Sequence, residues 1–132
     1  MIWMVNTIKK SSMKTAKFFK EAEFKKCTPS CSMEQMDQRT LNKLDFAREM
    51  AGIPFVLNSA YRSPEWDKKK GRSGDGAHTK GRAVDIRCNT NENRMRIVLA
   101  CLSAGFRRIG VAKTYIHVDD DPSKKQNIIW LY

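Results

Sequence analysis

Along "RAVDIRC", residues 82–88, apolar and polar positions alternate: Val84, Ile86 and Cys88 fall on one side of an extended chain, Ala83, Asp85 and Arg87 on the other. The apolar set belongs to a core, so Asp85 is expected to face outward or into a cleft. "TYIHVDDD" repeats the pattern, with Ile116 and Val118 inward and Tyr115, His117 and Asp119 together on the opposite face. "IPFVLNSAYRSP" begins as a short apolar strand over 55–58 and leaves it through a loop at 59–64. "RRIGVA" and "NIIWLY" are further short strand candidates.

Other stretches carry a helical period. Met36, Thr40, Leu44 and Ala47 follow Ser32 and Gln35, a capping pair, and Gly52 and Pro54 stop the run, so a helix is expected over 33–51. Asn89 and Glu92 open another, with Met95, Val98, Leu99 and Leu102 as its apolar side and Gly105 as its end. A shorter helix is expected over 14–26, burying Ala16, Phe19 and Phe24, before "CTPSCS" breaks it. Residues 65–77, charged and glycine-rich, read as an exposed, mobile loop. Strands follow helices without a regular parallel repeat, so the expected class is α+β: a small, mostly antiparallel sheet with flanking helices.

Composition adds limits. A chain of 132 residues, 41% hydrophobic and 30% charged, fits one domain with its own core. Residues 14–132 are assigned to that domain and 1–13 to a disordered lead, with Met13 an alternative start. No apolar stretch approaches the roughly 20 residues that cross a bilayer. The start, "MIWMVNTIKKSSMKTAKFF", lacks the basic, apolar, small-residue order of a secretory signal, so export by the general route is not expected.

The net charge of +11 attracts polyanions: nucleic acid, anionic lipid headgroups or the anionic polymers of bacterial walls. It is concentrated in Lys9, Lys10, Lys14, Lys17, Lys20, Lys25 and Lys26 and in Lys68, Lys69, Lys70 and Arg72. Neither zinc-finger spacing nor a basic stretch interleaved with aromatics accompanies it, so nucleic acid is not the expected partner. Cys27 and Cys31 are expected as free thiols, with a small disulfide or half a metal site as the alternatives; Cys88 and Cys101 sit in apolar patterns as buried small residues.

The chain has two histidines. His78 lies in "GAHTKGRAVDIRC", shortly before Asp85, and His117 shares its strand face with Asp119. If the two strands are neighbours, His117 and Asp85 approach each other and His78 reaches the same spot from the preceding loop. Two neutral imidazoles and one carboxylate supply three ligands for a single zinc ion and leave a fourth position for water, the pattern of a catalytic site. The residues alone leave ordinary polar surface as the other reading of each histidine.

The segments "SAYRS" at 59–63, "HTKGRAVDI" at 78–86 and "YIHVD" at 115–119 resemble the zinc D-alanyl-D-alanine peptidase family, which includes peptidoglycan carboxypeptidases and phage endolysins. The likeness is to its compact single-domain branch and covers residues 18–130; "HTKGRAVDI" also resembles the hedgehog signalling domain, which shares the fold. The resemblance implies that His78, Asp85 and His117 hold zinc, that Gly81 shapes the turn between the first two, and that Arg62 binds substrate beside the scissile bond with Ser59 near it. Several family members place a glutamate three residues before the last histidine as general base, where this chain has Thr114. Asp119 is the first candidate for that proton, with Asp120 and Asp121 as alternatives; equally, Asp119 can be the partner that fixes a histidine ring.

The function so implied is a monomeric zinc peptidase cutting peptidoglycan stem peptides or cross-links in wall lysis or remodelling. It would be made in the cytoplasm and, if phage-encoded, released at lysis or carried on a particle. A zinc-containing domain of the same fold that binds wall or ligand without turnover is the alternative.

Overall fold

The computed structural model describes residues 13–132. Of the lead assigned to 1–13, all but the exposed Met13 lies outside the described residues. Nine regular elements follow: α1 (Glu21–Lys25), α2 (Gln38–Ala51), β1 (Leu57–Ser59), α3 (Pro64–Lys69), β2 (Ala83–Arg87), α4 (Asn91–Ala104), β3 (Arg108–Val111), β4 (Tyr115–Asp119) and β5 (Ile128–Leu131). Single 3₁₀ turns lie at Met33–Gln35 and Ala77–Lys80. The strands form one sheet in the order β1-β2-β4-β3-β5, antiparallel except for the β3–β5 pair. The fold is therefore α+β, with a mostly antiparallel sheet.

One face of the sheet is core. Val84, Ile86, Ile109, Ile116 and Val118 are fully buried, together with Phe24, Leu41, Leu44, Phe55, Ile97 and Phe106. Each such side chain contributes roughly 1.5–3 kcal/mol on leaving water. With this face covered, alternation sends Asp85, His117 and Asp119 to the other side, as the pattern requires.

Three helices differ from expectation. The segment 14–18 is not helical, because side chains around α2 take its backbone donors: Glu34 accepts from Lys14, Gln38 from Thr15, and Asp45 from Lys17 and Phe18. The run expected as one helix over 33–51 is split. The Ser32–Gln35 capping box closes only a 3₁₀ turn, Met36 is extended, and Asp37 caps α2 anew by accepting from the Arg39 N–H. In α4 the buried side is Ile97, Ala100 and Cys101, while Met95 and Leu99 are 67% and 57% exposed. Helix α4 packs on α2, which likewise buries Ala47 and Ala51; small side chains let the two axes approach and turn the larger ones outward.

The expected loop over 65–77 begins as a helix, α3, since Ser63 caps it through the Trp66 N–H and Pro64 suits its first turn. All four cysteines are buried free thiols. No helix among the described residues is long and apolar enough to cross a membrane.

Candidate metal centre

The centre is built on a single row across the sheet. Ser59 of β1 pairs with Asp85 of β2, Asp85 with His117 of β4, His117 with Gly110 of β3, and Gly110 with Trp130 of β5. His78 joins from the 3₁₀ turn before β2, which two contacts tie to the 60–62 segment. Its ring Nδ1–H donates to the Ala60 carbonyl at 2.7 Å, and its own carbonyl accepts from the Arg62 N–H at 3.1 Å. Gly81 ends that turn in the left-handed region, at φ 69°, and its carbonyl accepts from the Asp37 N–H at 2.9 Å.

Three donor atoms converge: His78 Nε2, Asp85 Oδ1 and His117 Nδ1, separated by 3.1 or 3.2 Å in each pair. Zinc–ligand bonds of ~2.0–2.1 Å at tetrahedral angles set donor atoms about 3.3 Å apart. The triangle thus has the right size. Its protonation also fits, because the far nitrogen of each ring donates elsewhere: His78 Nδ1 to Ala60, His117 Nε2 to Asp119 Oδ2 at 2.7 Å. Two bare imidazole nitrogens and a carboxylate oxygen then face one another with no hydrogen between them, an arrangement that only a cation makes favourable.

The electrostatics carry the same demand. Burial works against the charged form of Asp85, but the adjoining His117 and His78 rings outweigh it and hold the carboxyl well below the usual range. Burial pulls the His78 pKa down, with Asp85 only partly opposing it. Burial acts on His117 in the same direction, yet the hydrogen bond to Asp119 and the nearby charge of Asp85 prevail and push its pKa up.

Each remaining site residue has a definite place. Arg62 donates from Nη2 to Asp85 Oδ2 at 3.1 Å and from Nε to the Ser59 hydroxyl at 3.0 Å. Ser59 is buried, and its hydroxyl accepts from the guanidinium Nε and so helps to aim it. Asp119, 1% exposed, has Oδ2 on the His117 ring and Oδ1 on Arg108 Nε at 2.9 Å and the Asp121 N–H at 3.1 Å. It sits behind the ring, on the side away from the convergence point, which is the geometry of a ring-fixing partner. Asp120 binds Thr40, Lys43 and Arg82; Asp121 binds Lys80 and Ser123. Thr114 is exposed.

Replacing Asp119 by alanine is therefore expected to weaken zinc binding by roughly 10–100-fold, as loss of such a partner does. Activity should return when zinc is supplied in excess. Titration of rate against free zinc checks this, since loss of a proton acceptor would leave the rate low at saturating metal.

Sequence reasoning passed over the wall beside the centre. Trp130 lies 5.5 Å from the His117 ring and under the Arg108 guanidinium at 5.1 Å, and Tyr132 lies 5.4 Å from Tyr115. A Cβ on Gly110 would stand 2.6 Å from the indole Nε1 and 2.7 Å from the Tyr132 ring. That glycine is what lets the two aromatics lie across β3. An isolated glycine inside "RRIGVA" was the available signal of such a close approach. Two spaces meet at the ligands: about 140 Å³ lined by Arg62, Arg72, Tyr115 and Tyr132 with all three ligands, and about 270 Å³ running from His78 and His117 toward Arg108, Lys124 and Trp130.

A family model described as Peptidase M15 matches residues 9–119. No curated protein is matched by the chain.

Proposed function

Because the chain belongs to the Peptidase M15 family, we infer that it is a zinc metallopeptidase hydrolysing peptide bonds of peptidoglycan stem peptides or cross-links. The observation that carries this is the convergence of two bare imidazole nitrogens and a carboxylate oxygen at one point, with Arg62 bound to the same carboxylate. When bound there, zinc supplies Lewis acidity, polarising the scissile carbonyl and bringing the pKa of the attacking water toward about 7.

The chain's own residues do the rest. Arg62 keeps Asp85 turned toward the histidines, and its remaining nitrogen, Nη1, is available to a substrate carbonyl or carboxylate. Asp119 holds the His117 proton at Nε2, so that Nδ1 stays a lone-pair donor. Burial and the charge of Asp85 push the Tyr115 pKa up, so its hydroxyl stays protonated as a hydrogen-bond donor on the cavity wall. The chain's strong positive charge favours an anionic wall as substrate surface. Release at lysis from a phage-infected cell is the setting that this reading favours.

Purified peptidoglycan, digested and analysed by mass spectrometry of the muropeptides, tests the reading and identifies the bond from the mass lost. Release is expected with the zinc-loaded enzyme, to disappear on chelation and to return with zinc. Equal release with and without chelator overturns it. One observation favours a second reading, a wall-binding domain without turnover: among the described residues, no carboxylate but Asp85 lines the cavity that all three ligands share. Zinc-dependent sedimentation with peptidoglycan but no new muropeptide would identify that case.

A further inference from the structure

The larger space that leaves the ligands is a cationic groove. Arg62, Arg72, Arg108 and Lys124 line it, with Trp130 along one side. Its two carboxylates already have partners: Asp67 faces Arg72 at 3.6 Å, and Asp119 is shared by His117 and Arg108 at 2.7 and 2.9 Å. Lys124 differs from the three arginines. Among the described residues its ammonium has no hydrogen-bond or ion-pair partner, although the side chain is half-buried at the groove. The acidic group that feels its charge, Asp75, lies fully exposed and is bonded to Ser73.

The loop that presents Lys124 is built rather than loose. The buried Asp121 accepts from the Ser123 N–H and hydroxyl and from Lys80, and the Gln126 amide donates to the carbonyls of Asp121 and Lys124. An ammonium without a bonded partner, set beside three guanidinium groups, makes the groove a place where an anion is favoured. At roughly 30 Å³ per water, the groove's 270 Å³ holds about nine waters, the space of one or two amino-acid residues. The Trp130 indole, with Arg108 over its ring, offers a flat apolar wall to the body of such a residue.

We propose that Lys124 anchors a carboxylate subsite: the enzyme selects stem peptides with a free acid group on the side of the scissile bond that lies in this groove, and discriminates against the carboxamide form. This rests on the peptidoglycan-peptidase reading above. Wall stem peptides offer such a group on their glutamyl and diaminopimelyl residues, either of which is amidated in some walls.

Two pairs of synthetic stem peptides test it, one with the glutamyl α-carboxyl free or amidated and one with the diaminopimelyl carboxyl free or amidated. Cleavage and calorimetric binding are measured on the zinc-loaded enzyme. In one pair the free acid should be preferred roughly tenfold or more, the scale of a charge-assisted hydrogen bond, chiefly through KM. Lys124→Gln should collapse that ratio toward one and Lys124→Glu should invert it, with zinc content and thermal midpoint equal to wild type. Equal binding of acid and amide in both pairs, or a preference that survives Lys124→Gln, overturns the subsite. Binding with the stated preference but no cleavage of any peptide overturns the peptidase reading and leaves the subsite standing.

Discussion

Replacing Asp85 by alanine is expected to lower zinc affinity on the order of 10²–10³-fold and to remove peptidase activity at ordinary zinc concentrations. Structural zinc sites bind with about 10–16 kcal/mol over four ligands, so one ligand accounts for about 2.5–4 kcal/mol. Asp85 also supplies the only negative charge among the three ligands and the partner of the Arg62 guanidinium, whose side chain is 13% exposed. The variant leaves that cation without its ion-pair partner beside two imidazoles, which opposes a second cation at the same point. Chelator-competition titration and metal analysis read the affinity, and far-UV circular dichroism confirms that the fold persists. Wild-type zinc affinity in this variant would remove Asp85 from the centre.

The second large effect concerns folding. Gly81→Ala is expected to cost about 3–5 kcal/mol and lower the thermal midpoint by roughly 10–20 °C. At φ 69° an L side chain already pays about 1–2 kcal/mol. The added Cβ would also collide with the Gln35 carbonyl oxygen and come within 3.0 Å of Met36 Cα and 3.2 Å of the Asp37 nitrogen. These are backbone atoms and no rotamer moves them. Gly52 supplies the control: its φ is 68°, yet a Cβ added there would meet nothing within 4 Å, so Gly52→Ala should show the conformational cost alone, about 1–2 kcal/mol. Thermal melts of the two variants side by side check this; equal losses would mean that the 77–81 turn can move off the 35–37 segment.

The strands that carry the centre were legible because period-two alternation with one buried face leaves few choices for Asp85 and His117. Their adjacency was less so: β3 and β4 form a local hairpin, but β2 lies against β4 and β5 joins parallel to β3, pairings set by long-range packing that no local pattern encodes. The face of α4 was half read: Val98 and Leu102 pack against the core and Cys101 is buried as expected, but the side that meets α2 is centred on Ile97, Ala100 and Cys101, which turns Met95 and Leu99 outward. The role of Asp119 could not be read from position alone. A carboxylate two residues beyond His117 can reach the ring's far nitrogen or the open side, and Arg108 and the Asp121 N–H hold it on the first.

The row from Ser59 to Trp130 also has a kinetic meaning. Its members come from all five strands, and the pairings that align them span most of the described chain. Apart from the short β3–β4 hairpin, such contacts close late, because each must overcome the entropy of a longer loop before it gains anything. His78, Asp85 and His117 therefore reach their triangle only when the central β2–β4 ladder has zipped, so a group able to hold a metal belongs to the finished molecule.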